Sequence, residues 1–197
     1  MPKYIINLLV LFTFIFPKLD IPDHSSKGWK TIQDKDIWIG YKKIDNVTWC
    51  RSKTIFLHPI EKIIPLIEDK KNYINVFKRL TASDILEEEI VYIRLDMPSF
   101  LSDRDYVVKY ESFIEGNSML YRWHPINHED APNPDNVVRL INATGEWKIT
   151  SINSKLTRVI YTWNGELLGD FPSFFLSSAW KEQGSEILIW LQEALDE

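Results

Sequence analysis

Side chains able to make or break bonds are few in this sequence and stand far apart. Of the four histidines, His24, His58, His124 and His128, only the last two fall in one stretch, and two imidazoles without a third ligand make a poor zinc site. Cys50 is the single cysteine, so it can make neither an intramolecular disulfide nor a multi-cysteine metal site, and it reads as a small buried hydrophobe. There are no paired carboxylates at a defined cleft, no nucleophile elbow and no phosphate-cradling glycine loop. Arg104, Asp105 and Arg139 are the charges best suited to catalysis. At the beginning of strands, however, opposite charges more often anchor loops through hydrogen-bonded ion pairs, and that is the expectation here. No catalytic residue, metal or cofactor is assigned.

Binding chemistry is better represented. The chain is 13% aromatic and holds eight Trp. Tyr106, Tyr110, Tyr121, Tyr161, Trp123, Trp147 and Trp163 each join a broad apolar face to a polar tip that needs a partner once buried. A cavity holding a ligand hydroxyl or ordered water would satisfy some of these tips, whereas a dry packed core would not. A net charge of -5 and the lack of any Lys/Arg run longer than two argue against nucleic acid as a partner.

The elements that must position these residues follow from periodicity. Residues 37–44 and 47–57 are apolar, β-branched runs about Asp45-Asn46, a hairpin pattern. Ile60, Ile63, Ile64 and Ile67 recur at helical spacing, and a second short helical stretch covers 73–80. Two-residue alternation then predicts strands at 90–95, 106–114, 118–124, 137–143, 146–151 and 156–163. Their short connections predict an antiparallel meander. The last 26 residues predict a long helix after Gly169-Asp170-Phe171-Pro172. A curved sheet gripping that helix, an α+β arrangement, is the simplest assembly.

Alternation also assigns faces. Val91, Ile93 and Leu95 oppose Tyr92, Arg94 and Asp96; Tyr106, Val108 and Tyr110 oppose Lys109 and Glu111. Met119, Tyr121 and Trp123 oppose Arg122 and His124; Trp147 and Ile149 oppose Glu146 and Lys148; Val159, Tyr161 and Trp163 oppose Arg158. The first set of each pair is expected to point inward, with no charge among them. On the last helix Phe175, Ala179, Ile187, Trp190, Leu191 and Ala194 share a broad face, which Gln183 and Gly184 interrupt as a wider polar midpoint or a kinked turn. For any single position the plainer reading is packed core. The candidate ligand contacts are the inward residues of strands 90–95 and 106–110, Tyr121, Trp123, Trp147, Tyr161 and Trp163, with Phe175, Ala179 and Gln183 on the helix.

Residues 4–16 carry only Asn7 and Thr13 as polar interruptions, flanked by Lys3 and by Pro17-Lys18, the shape of a signal-peptide apolar region. A helix of that length rises about 20 Å, short of the roughly 30 Å hydrocarbon core, so an ordinary spanning helix is disfavoured. No small-x-small pair marks a cleavage site. Residues 1–20 are expected to be a signal peptide or an uncleaved membrane anchor, with an amphipathic or core segment as the third reading. The domain would then be exported, to a periplasm or the exterior, or held at a membrane. Residues 21–197 show no long linker or repeat and are expected to fold as one domain, a monomer.

Three motifs carry a family resemblance over about residues 29–195. Pro98-Ser99-Phe100-Leu101-Ser102-Asp103-Arg104-Asp105-Tyr106 resembles the proline, short spacer and Ser-Asp-Arg-Asp-Tyr strand entry of the START lipid-transfer domains. Val138-Arg139 followed by Gly145-Glu146-Trp147-Lys148-Ile149 is similar to a strand pair of that family, and Gly169-Asp170-Phe171-Pro172 to the Gly-x-x-Pro before its final helix. Glu166 stands where the family has Asp. The resemblance implies a helix-grip fold, a curved antiparallel sheet around a long C-terminal helix enclosing an apolar tunnel. It further implies binding and transfer of a phospholipid, sterol or similar lipid, with transient contact to a membrane surface, and no enzymatic activity. The uncharged inner faces disfavour the alternatives on the same fold that need a buried charge: a polyketide cyclase-like enzyme and sterol specificity. A lipid sensor stays open.

Overall fold

The computed structural model describes residues 19–197, so the apolar stretch read as an export or anchoring segment lies outside the described residues. The chain opens with β1 (Lys30–Asp34), β2 (Trp38–Ile44) and β3 (Val47–Phe56). Two helices follow, α1 (Ile60–Glu68) and α2 (Tyr73–Val76). Then come β4 (Leu80–Glu87), β5 (Ile90–Leu95), β6 (Asp103–Glu115), β7 (Ser118–Pro125), β8 (Val137–Arg139), β9 (Gly145–Asn153), β10 (Leu156–Asn164) and α3 (Leu176–Asp196).

The strands form one sheet in the order β1-β2-β3-β10-β9-β7-β6-β5-β4, with β8 beside β6. The β2–β3 hairpin turns on Asp45 and Asn46, with φ of 48° and 66°, the two left-handed residues that a tight two-residue turn needs. Joining β3 to β10 brings the first hairpin onto the end of the meander, and α3 lies across the result. This is the curved-sheet α+β arrangement expected from the sequence.

Two local expectations need correction. Residues 137–143 do not form a meander strand: only Val137–Arg139 are extended, and they pair parallel to β6. The connection 126–136 is long enough to bring the chain back in the same direction, which the short-connection argument overlooked. The helical stretch over 73–80 stops at Val76, and Leu80 already begins β4. Neither β1 nor β4 was expected; both are edge strands with half-exposed, weakly alternating sequences, where solvent tolerates polar residues on either face.

Each face of the sheet has its own core. On the inner face a cluster of buried residues runs from Val91 and Ile93 through Tyr110, Trp123, Trp147 and Tyr161 to Trp180, Leu188 and Leu191 of α3. On the outer face Ile90, Tyr92 and Val107 pack with Ile126 and Ala131, so the loop 126–136 sits on the side away from α3. Beside it, residues 22–24 are tied down by Arg51, whose guanidinium donates to the Pro22 carbonyl at 2.6 Å and to Thr162 Oγ1 at 2.9 Å. Glu146 is sealed beneath this strap, hydrogen-bonded to His24 Nε2 at 2.5 Å and accepting from Arg122.

Candidate ligand-binding pocket

Between the inner face and α3 lies a pocket of about 320 Å³, at the lower end of the range common for small-molecule sites. The strands supply its floor because alternation aims every second side chain inward. Ile93 and Leu95 of β5, Tyr106 and Tyr110 of β6, Trp123 of β7, Trp147 of β9, and Tyr161 and Trp163 of β10 all line it. From α3 come Ala179 and Gln183, with Phe175 just before the helix. The remaining candidates, Val91, Val108 and Tyr121, face inward but lie off the wall, in the core cluster that holds Ile63 and Ile67 of α1. Tyr121 satisfies its hydroxyl by donating to Glu68 Oε1 at 2.7 Å. Inward direction alone cannot distinguish floor from core, because α1 covers part of the same face.

The aromatic floor is continuous. Ring centroids are 6.0 Å apart for Tyr110–Trp123, 5.6 Å for Trp123–Tyr161, 4.4 Å for Trp147–Tyr161 and 5.0 Å for Tyr161–Trp163. Gly145 makes room for it: a Cβ there would fall 2.1 Å from the Trp123 ring. Burial pushes the Tyr106, Tyr110 and Tyr161 hydroxyls well above the ordinary phenol range, so they stay neutral. Gln183 is a polar residue of the same wall, from α3. Gly184 is not a wide point: α3 runs through it, and a Cβ would lie 2.9 Å from the Trp163 ring and 3.3 Å from Ile39. The glycine lets the helix backbone rest on the sheet.

Sequence reasoning missed the walls made outside the meander and the last helix. Tyr73 of α2, Phe77 and Arg79 of the turn after it and Leu80 of β4 enclose one side, and the loops 97–101, 140–144 and 166–172 enclose another. The wall also carries charge where none was expected, from Arg79 before β4 and from Arg104 of β6. Arg79 donates to both oxygens of Glu186 at 2.6 and 2.9 Å and to Glu182 at 2.7 Å, linking the approach to β4 with α3 across the rim. Arg104, 1% exposed, donates to the Leu167 and Leu168 carbonyls at 3.0 and 2.9 Å, to the Ser102 carbonyl and to Asp170 at 2.9 Å. Arg139 grips Asp105 with two bonds of 2.6 and 2.9 Å. The strand-entry charges thus anchor loops, as expected, and Arg104 also forms part of the wall. Phe100 of the pocket wall is 74% exposed, and Phe174, ring to ring with Phe175 of the wall at 4.2 Å, is 77% exposed.

No protein-family model and no curated protein matches the sequence. Solved structures do match the fold. A STAR-related lipid transfer protein from Xanthomonas axonopodis is 18% identical, over 87% of this chain and all of that one, with a TM-score of 0.75. Human StAR-related lipid transfer protein 5 is 13% identical, over 88% of each chain, with a TM-score of 0.78. The Zhui aromatase/cyclase from a Streptomyces species is more distant, 16% identical over 75% of this chain and 93% of that one, with a TM-score of 0.51. The chain has the START helix-grip fold.

Proposed function

We propose that this chain binds one hydrophobic molecule between the sheet and α3 and carries it to or from a membrane, without transforming it. The observation that carries the reading is the continuous aromatic floor from Tyr110 to Trp163, neutral and backed by apolar residues of β5 and α3. Such a wall holds an apolar body in place. The named activity of the two lipid-transfer neighbours supports it. A cyclase-like role has weaker support, since the inner strand faces present tyrosines that burial holds neutral.

Exposed Phe100 and Phe174 at the pocket border suit contact with a bilayer interface, where aromatic rings partition favourably. The loop 126–136 packs on the outer face through Ile126 and Ala131, so its movement would leave the pocket covered. Parting of α3 from the chain around Arg79 would open the pocket instead. An export or anchoring segment in residues 1–20 would put the domain beside the membrane it serves; mass spectrometry of the mature N-terminus tests that placement, and an intact Met1 on a protein found only in the cytoplasm would refute it.

Transfer is tested with a fluorescent lipid in donor vesicles. The protein should shield the lipid from an aqueous quencher and deliver it to acceptor vesicles; failure to shield any lipid offered would overturn the reading.

A further inference from the structure

The size of the pocket limits what can occupy it. At about 30 Å³ for a water-sized group packed as in a liquid, a volume of about 320 Å³ holds about ten methylenes. A two-chain phospholipid carries several times that many, and a sterol with its side chain also exceeds it. One hydrocarbon chain of medium length fits.

The limit has a structural cause at one end. On β9 and β10 the paired residues Trp147 and Tyr161 line the pocket, whereas the next inward pair, Ile149 and Val159, is fully buried and does not. On β5 and β6 the same step separates Ile93 and Tyr106, which line it, from the fully buried Val91 and Val108. Helix α1 fills the space beyond. Its Ile63 and Ile67 are fully buried in one cluster with Ile149 and Val159, and the helix lies against β9. Tyr73 of the pocket wall pins α1 in place by donating its hydroxyl to the Ile67 carbonyl at 2.5 Å.

The pocket cannot widen freely toward α3 either. Leu188 and Leu191 are fully buried, the Trp180 indole donates to the Gly165 carbonyl at 2.7 Å, and Gly184 seats the helix backbone on Trp163. A second chain beneath the helix would have to lift all of these contacts and return apolar surface to water. The opposite end is the open one: in the loops and the turn before α3, Phe100, Leu168 and Phe175 of the wall are partly or largely exposed. Arg79, Glu182 and Glu186 add a charged, solvent-facing rim, while Ile93, Tyr106, Trp147 and Tyr161 at the closed end carry no charge.

Resting on the pocket reading above, we infer that the ligand is a single-chain amphiphile, of the class of a lysophospholipid or a fatty-acid derivative. It enters tail first, buries about ten methylenes and leaves its polar head at the mouth. Trp147 sets the depth that the tail can reach, and two-chain phospholipids are excluded by size.

The first test incubates the full-length protein with two-chain phosphatidylcholine vesicles that contain a small share of lysophosphatidylcholine, isolates the protein by gel filtration and identifies its lipid by mass spectrometry. The one-chain lipid should exceed the two-chain lipid on the protein by about tenfold or more, a difference of one decade in affinity. Comparable carriage of the two-chain lipid overturns the single-chain assignment and leaves the pocket reading standing; carriage of neither overturns both. The second test is a calorimetric series from octanoyl to palmitoyl lysophosphatidylcholine. Affinity should rise about fourfold per methylene until the pocket is full and then level off. In Trp147→Ala the plateau should move to longer chains, and Ile93→Ala, a smaller excision in the adjoining wall, serves where the first variant does not fold. Affinity still climbing at the palmitoyl chain in wild type, or a plateau unmoved in a folded variant, overturns the size limit.

Discussion

Adjacent positions on α3 have opposite tasks. Leu188 is fully buried and, with Trp180, Gly184 and Leu191, packs the helix onto the sheet; Ile187, with Ala179, Gln183 and Trp190, borders the pocket. The same division recurs on β9, where Glu146 faces the sealed outer cluster and Trp147 the pocket. Neighbours in sequence therefore face different surroundings, packed core on one side and the pocket on the other. The proposed binding role needs this separation, because a helix must stay folded while the pocket beneath it fills and empties.

The separation can be broken position by position. Leu188→Ala should cost the most, about 2–5 kcal/mol by urea denaturation, because it deletes a fully buried side chain. Ile187→Ala should cost clearly less stability yet weaken uptake of a fluorescent lipid several-fold; equal loss of stability in the two variants would show that α3 has no distinct pocket face.

Glu146→Gln tests the outer face and should cost about 1–3 kcal/mol at neutral pH while leaving lipid uptake unchanged. Burial alone would raise the carboxyl pKa, but the bonds to His24 and Arg122 outweigh it and hold Glu146 below its ordinary value of 4.5. A folded-state pKa below the unfolded one adds stability that is present above the unfolded value and lost as pH falls through the folded one. The stability gap between wild type and variant should therefore close as the solution is acidified below about pH 4.5. A gap that widened instead would contradict the pairing.

Arg79→Gln should have the smallest effect on stability, at most about 1 kcal/mol, since the rim ion pairs are partly exposed to solvent. Its consequence should show in kinetics, as faster release of bound lipid to acceptor vesicles. High salt should speed release by wild type and leave the variant less affected. Release unaltered in the variant would place the opening elsewhere.

Legibility in the sequence followed regularity of the chain. Period-two alternation placed the inward residues it named, from Val91 and Ile93 to Tyr161 and Trp163, on the side of α3, because a strand leaves side chains only two directions. On α3 the apolar pattern was ambiguous: Phe175, Ala179, Ile187 and Trp190 mark the pocket side, whereas the fully packed Trp180 and Leu188 belong to a second apolar stripe. What could not be read was which inward residue meets the pocket and which meets α1, as Tyr121 and Val108 show, since that depends on where a helix lands. Nor could the loops that supply Thr144, Glu166 and Arg79 be placed, because irregular chain has no period from which to infer a face.

Filling the pocket provides the most direct test of the central claim. Wild type purified from its native source should yield, by untargeted lipid mass spectrometry, close to one hydrophobic molecule per chain, and Ala179→Trp, which puts a large ring into the pocket from α3, should yield almost none while unfolding cooperatively. Equal lipid content in the two proteins, or none in wild type, would contradict the account.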